Sequence, residues 1–366
     1  ARLSGIALMR LLIAATLALL TAPAFAASAI PFHDMIAGSF DDFARPKFAA
    51  LAKDAADLKD NVAALCATPS ETTLQSAQAA FKATVLSYSA VEFVRFGPLG
   101  VDNRVERLLF WPDNKGIALR QVQAAIGTED PTAANPEALR NKSVAMQGLG
   151  AAEYLLFGTG FDDLASSAGA YRCQFAAAAT ALIGGLTATL SAEWADPAPG
   201  GAADAMLNPT STSVDYRSEL EVINKLAGAL TFGTDTIRDQ RLSPVLSLST
   251  GTPKPKSALF WRSGMSAKAM AANFTGLRDF FRAAKFGPAM GAANAWIAKG
   301  AEFEFESAIG AAGEVPGPME AAITDPEGLR GLKQMYVSTG SLDTLLGDSL
   351  GGALGLTTGF SALDGD

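Results

Sequence analysis

The sequence predicts an all-α protein, on three observations. Alanine and leucine dominate, β-branched runs are scarce, and apolar residues recur at spacings of three and four through most segments. Nearly half of the 366 residues (49%) are apolar, enough to exclude a disordered chain.

The first helix is expected from about Phe40 to Leu65. Pro69-Ser70-Glu71 then opens a second, carrying Leu74, Phe81, Val85 and Tyr88 at helical spacing. A shorter third covers Lys115 to Ile126. Asn135-Pro136-Glu137 is a start signal for a fourth, which runs to Phe157 and is stopped by Gly158 and Gly160. A fifth spans Ala165 to Trp194. The stretch Asp196 to Thr212, with Pro197, Pro199, Pro209 and the pair Gly200-Gly201, reads as a linker. Further helices are expected near Val214–Gln240, Ser266–Lys285, Ala289–Ile309 and Pro318–Leu346, with Ser243–Ser257 as an exposed loop. Glu302-Phe303-Glu304-Phe305-Glu306 alternates with period two, as a short strand does, but its flanks are alanine-rich and helical.

The N-terminus points to export. Arg2 and Arg10 bracket a positive start, an apolar run covers Leu11 to Leu20, and Ala24-Phe25-Ala26-Ala27 supplies small residues for cleavage near Ala26 or Ala27. The run is shorter than the ~20 residues of a spanning helix, so residues 1–27 read as a signal peptide, with no membrane span after its removal and a periplasmic location. About 340 residues then remain, more than one core usually organises. Two halves are therefore expected, a bundle over 28–195 and another over 213–366, joined by the linker at 196–212.

Losing Arg2 and Arg10 but no acid takes the net charge from −8 to −10. So acidic a chain is not steered to nucleic acid. Cys66 and Cys173 are its two cysteines, and export would expose both to an oxidising compartment. The sequence leaves open whether they bond or stay separately buried, because their Cα separation is not legible.

The catalytic inventory is thin. His33 is the one histidine, so a Ser-His-Asp triad, a His-Glu-x-x-His site or a Cys-His pair would each depend on it. It sits beside the new N-terminus and reads as a surface residue. No Gly-x-Ser-x-Gly elbow or Walker loop is present. Gly148-Leu149-Gly150-Ala151-Ala152-Glu153 imitates a dinucleotide turn but falls inside a helical pattern with no strand before it. On that helix Gln147, Gly150, Glu153 and Phe157 share a face, so a glutamate stands beside a glycine gap. If Glu153 faces inward it must be paired or hydrogen-bonded, for instance by an arginine, because an isolated buried carboxylate is too costly. Glu92, Asp102, Arg104, Arg107 and Trp111 form a stretch rich in charge and aromatics, either a solvated loop or one facing a ligand, where Arg104 or Arg107 neutralises a carboxylate.

Phe96-Gly97-Pro98, Leu109-Phe110-Trp111-Pro112-Asp113, Gly116 and Leu119-Arg120-Gln121 together resemble the imelysin-like proteins. Gln147-Gly148-Leu149 with Glu153 to Phe157, Tyr171-Arg172-Cys173, Phe260-Trp261-Arg262-Ser263-Gly264 and Gly359 to Asp366 extend the likeness over essentially the whole exported chain. The resemblance implies two helical-bundle halves in the cell envelope with a site between them. It also implies a link to iron acquisition and, for some members, metallopeptidase activity through a Gly-x-His-x-x-Glu motif. Gly148 and Glu153 match the ends of that motif, but Gly150 occupies its histidine position.

A histidine and a glutamate three residues apart on a helix can share one metal, and catalytic zinc usually takes three protein ligands plus water. Glycine removes one of them. The leading expectation is therefore a noncatalytic binding or accessory protein. Its ligand, small and polar or iron-related, would sit near Glu153, Gly148, Gly150, Arg104, Trp111, Glu92 and Asp102, with Arg262 and Ser263 from the second half. An envelope protein is the other candidate partner. No cofactor is firmly implied, although iron or another metal held by oxygen ligands stays open. The alternatives are a metal-dependent peptidase with Glu153 joined by Glu92, Asp102 or Glu219, and a structural envelope protein.

Overall fold

The computed structural model describes residues 28–356, so the signal-like segment and the Gly359–Asp366 stretch lie outside it. Every regular element among the described residues is helical, and none is a strand.

The chain opens with α1 (Phe32–Gly38), passes through a π-helical turn at Ser39–Ala44 and continues as α2 (Arg45–Ala67). Helix thus begins before the expected Phe40. Pro46, which has no N–H to donate, sits at the start of α2, where the hydrogen-bond register changes from π to α. Next comes α3 (Glu71–Ser89), started by a capping box in which the Thr73 N–H donates to Ser70 Oγ (3.2 Å) and the Ser70 N–H to Thr73 Oγ1 (3.1 Å). Its expected apolar stripe, Leu74, Phe81, Val85 and Tyr88, is buried.

The short α4 (Arg104–Leu108) and α5 (Ile117–Thr128) follow. The single helix expected over Asn135–Phe157 is divided into α6 (Pro136–Arg140) and α7 (Gly148–Phe157). The break is at Gly148, whose φ of +69° is left-handed and where a Cβ would lie 2.4 Å from the Leu108 carbonyl oxygen. Gln147 turns back and donates from Nε2 to the carbonyls of Leu139 (2.9 Å) and Lys142 (3.0 Å). Neither contact has a periodicity signature. After two 3-10 turns comes α8 (Ala170–Ala195).

The expected linker contains a short helix, α9 (Asp204–Leu207), with Ala203 and Met206 buried. Then α10 (Glu219–Asp235) runs through a π-helical turn at Thr236–Leu242 into α11 (Ser243–Leu246). Val245 and Leu246 are buried, so the stretch from Ser243 is not the exposed loop expected over its whole length. Five helices follow in order, α12 (Ser266–Ala283), α13 (Phe286–Ala289), α14 (Ala295–Gly313), α15 (Met319–Thr324) and α16 (Pro326–Thr344). A last π-helical turn at Leu345–Ser349 leads into α17 (Leu350–Leu354). The expected helix from Pro318 is split at Asp325, whose side chain accepts the Gly328 N–H (2.7 Å) ahead of Pro326. Glu302–Glu306 is helical, with Phe305 buried and Phe303 exposed.

Along the chain, α2 packs between α3 and α8, while α14 packs on α12 and α16. Contacts of α3 with α12 and of α1 with α10 join these groups, and one apolar core runs from Met35 to Leu356. At the junction the ring of Phe280 meets Phe43 (5.2 Å between centroids) and Phe93 (5.3 Å), with Phe96 edge-on to Trp194 (6.3 Å). By length and apolarity α8 is a candidate membrane span, yet it packs along α2 and α7.

Cys66 at the end of α2 is bonded to Cys173 near the start of α8, with Cα atoms 5.5 Å apart. The bond closes a loop of 107 residues. Replacing both cysteines by serine is expected to cost about 4 kcal/mol in urea unfolding, from the larger entropy of the opened unfolded chain. A loss below about 1 kcal/mol would show that the α2–α8 packing holds without it.

Candidate functional site

Glu153 stands in the middle of α7 with only 4% of its surface exposed. Its Oε1 accepts two hydrogen bonds from Ser263, one from the backbone N–H (2.9 Å) and one from the hydroxyl (2.8 Å). The donors are aimed by a tight turn before α12, in which Phe260 has a left-handed φ of +59° and its carbonyl accepts from both the Met265 N–H and the Ser263 hydroxyl. Phe260 is held in that conformation by burial against Phe81. Burial raises the carboxyl pKa of Glu153, and the Ser263 donors and the nearby Arg262 charge offset only part of the rise. A core glutamate was one expectation here, but its lock is a serine rather than an arginine.

A second buried carboxylate crosses between the same parts of the chain. Glu92, just beyond α3, pairs with Arg241 of the second π-helical turn, and its Oε2 accepts from Asn273 Nδ2 on α12 (3.0 Å). Asn273 also donates to the Ser89 carbonyl (2.7 Å). All three side chains are buried.

The expected site residues are therefore divided among several places. Arg104 forms a two-pronged pair with Glu193 of α8 (2.6 and 3.1 Å) instead of serving Glu153. Asp102 is 80% exposed, 3.9 Å from Arg104. Trp111 packs at the edge of the core and directs its Nε1 toward the Gln240 carbonyl (3.4 Å). Asp113 of the Trp-Pro-Asp motif caps α5, accepting the N–H groups of Ile117 (2.7 Å) and Ala118 (2.8 Å). His33 is exposed, 3.5 Å from Glu219.

Of the expected site residues, Arg262 and Ser263 adjoin Glu153, and Gly150 lies one turn before it on α7. Arg262 and Ser263 line a cleft of about 540 Å³, together with Trp261, Phe157 and residues that the sequence did not single out, Lys82 and Glu320. Arg262 lies over the rings of Trp261 (4.5 Å) and Tyr154 (5.3 Å), and Lys82 over Phe157 (5.5 Å). A helical i, i+4 relation of Gln78 and Lys82 was readable on α3, but nothing local told which face would meet Trp261.

The residues do not fit the metal of the Gly-x-His-x-x-Glu pattern. At Gly150 no atom lies within 4 Å of where a Cβ would sit, so the space for a side chain is there and the side chain is not. Among the described residues, no three histidine, cysteine or acidic side chains converge to hold a metal ion. Glu92, Asp102 and Glu219 each sit in surroundings of their own, away from the Ser263 donors that engage Glu153.

The imelysin (peptidase M75) family profile matches residues 44–339. Among solved structures, an imelysin-like protein from Psychrobacter arcticum 273-4 superposes with a TM-score of 0.75 at 19% identity, covering 91% of this chain and 99% of that one. A putative iron-regulated protein A precursor from Parabacteroides distasonis ATCC 8503 gives 0.65 at 13% identity, covering 86% of this chain and 95% of that one. At these identities the likeness shows the shared fold. No curated protein matches significantly.

Two outcomes follow for the buried acids. Arg241→Met is expected to cost about 3–5 kcal/mol in urea unfolding, by stranding Glu92, and Glu92→Leu in the same chain should restore most of it. Purely additive losses would mean the pair is not coupled. For Glu153, the folded state keeps a proton that the unfolded chain has released. Its stabilising contribution is thus full below the ordinary glutamate range and is lost as pH rises through the raised pKa. Stability of the native protein should accordingly fall relative to Glu153→Gln as pH rises above about 4.5. Parallel pH curves for the two proteins would remove Glu153 from the titrating groups.

Proposed function

The chain belongs to the imelysin family, and we propose that it is an exported, periplasmic binding protein whose ligand seats in the cleft between its two helical halves, not a metal-dependent peptidase. One observation carries the reading. The acid of the family's motif is buried with Oε1 already engaged by both donors of Ser263, and the neighbouring histidine position is a glycine. That arrangement fixes two segments of chain together, and it leaves no pair of ligands for a catalytic ion.

The cleft supplies recognition chemistry of another kind. Lys82 and Arg262 form no ion pair among the described residues and rest on aromatic faces, with Glu320 the one carboxylate lining the cleft and Trp261 and Phe157 giving flat apolar walls. Such walls suit a small polar ligand carrying negative charge and a flat portion. Export is supported by the signal-like start and the Cys66–Cys173 bond. One protein of similar fold is named for iron regulation, and we extend to this chain only the expectation that its ligand is connected with iron.

Metal analysis of the purified protein, beside a peptide-cleavage assay with and without chelator, tests the reading. Substoichiometric metal and no chelator-sensitive cleavage are expected. Mass spectrometry of protein purified gently should find a retained small molecule that Trp261→Ala releases. One tightly held ion per chain with chelator-sensitive cleavage would return the protein to the peptidases.

A further inference from the structure

A second cavity, sharing no residue with the interhelical cleft, opens between α4, the end of α6 and the middle of α8. It measures about 310 Å³. Arg104, Arg107 and Arg140 reach it from one side, and Leu182 and Leu186 of α8 form an apolar floor. Three guanidiniums thus line the cavity with one carboxylate, that of Asp102, while a second, that of Glu193, is paired with Arg104.

The three arginines are not equivalent. Arg104 is held by Glu193 and by the Pro98 carbonyl (2.8 Å), so its charge is largely answered within the protein. Arg107 and Arg140 have no carboxylate partner among the described residues. Arg107 Nη1 instead donates to the Arg140 carbonyl (3.2 Å) and approaches Gln147 Oε1 (3.5 Å). Gln147 in turn binds backbone carbonyls on both sides of Arg140's helix end, those of Leu139 and Lys142, at 2.9 and 3.0 Å. The break between α6 and α7 therefore holds the Arg107 guanidinium at the cavity, and the exposed Arg140 side chain lines it beside Arg107, in a chain whose net charge is −8. Guanidinium forks match carboxylate oxygens two at a time, and an acidic protein that keeps two of them unpaired over a cavity is prepared for an anion.

We propose that this cavity binds a small organic polycarboxylate, its carboxylates on Arg107 and Arg140 and its carbon skeleton on Leu182, Leu186 and the bare backbone of Gly185. The volume and the leucine floor distinguish this class from a bare oxyanion, which would leave most of the space to water. Thr189 lines the same face of α8, its hydroxyl donating to the Gly185 carbonyl (3.0 Å).

Calorimetric titration of the purified protein with citrate, tricarballylate and inorganic phosphate tests the proposal. Citrate and tricarballylate should bind saturably with Kd below about 1 mM. The double variant Arg107→Gln, Arg140→Gln should weaken both by about tenfold or more, whereas Arg330→Gln, a surface arginine paired with Glu314 elsewhere, should not. Gly185→Leu removes no charge, and no atom lies within 4 Å of where its Cβ would sit. It should fill the cavity and abolish binding without lowering the melting temperature. Should either multiple or plugging variant fold poorly, Arg140→Gln alone touches only an exposed side chain and should still weaken citrate severalfold. Absence of saturable binding, phosphate binding as tightly as citrate, or binding indifferent to these variants would each overturn the assignment.

Discussion

Two buried carboxylates joined to distant donors hold this structure together. Glu153 of α7 is taken by Ser263, 110 residues further on, and Glu92 beyond α3 by Arg241 and Asn273, 149 and 181 residues further on. Burying an acid is costly unless its donors are already in place. The helices around α2, α3 and α8 therefore cannot settle independently of α12 and the second π-helical turn. Aromatic rings reinforce the same seam, with Phe280 of α12 against Phe43 and Phe93.

This constraint also shapes the chemistry. In the family's pattern the motif acid stands beside a histidine. In this chain glycine replaces the histidine, and the acid is turned inward onto a serine. A carboxylate engaged by two donors and kept from water ties α7 to the turn before α12. Beside it Arg262 lies over the ring of Trp261.

Strain and irregularity gather at the same places. Phe260 takes a left-handed conformation in the turn that aims Ser263, and Gly148 takes one where α7 starts. Arg241 projects from a π-helical turn. Each departs from regular helix to aim a side chain or to admit a neighbouring backbone, as expected where tertiary contacts override local preference. Arg172, a residue of the family-like stretch, serves the frame as well. Its guanidinium donates to the carbonyls of Tyr154 (2.6 Å), Leu155 (2.7 Å) and Thr159 (2.7 Å) and so closes the C-terminus of α7.

The sequence by itself determined the helical class, the family and most long helices, because apolar spacing and caps such as Ser70 are local signals that survive any packing. It also singled out Glu153, Arg262 and Ser263, through motif and resemblance. Tertiary structure alone decided the partners. Arg104, near the family motif, went to Glu193, while Glu92 found Arg241, which no pattern marked. It decided as well that the helix from Asn135 breaks at Gly148, since the Leu108 carbonyl that forbids a side chain there comes from 40 residues earlier. Periodicity records which face of a helix is apolar, but the identity of what meets that face depends on chain closure over a hundred residues and more, where local sequence carries no distance information.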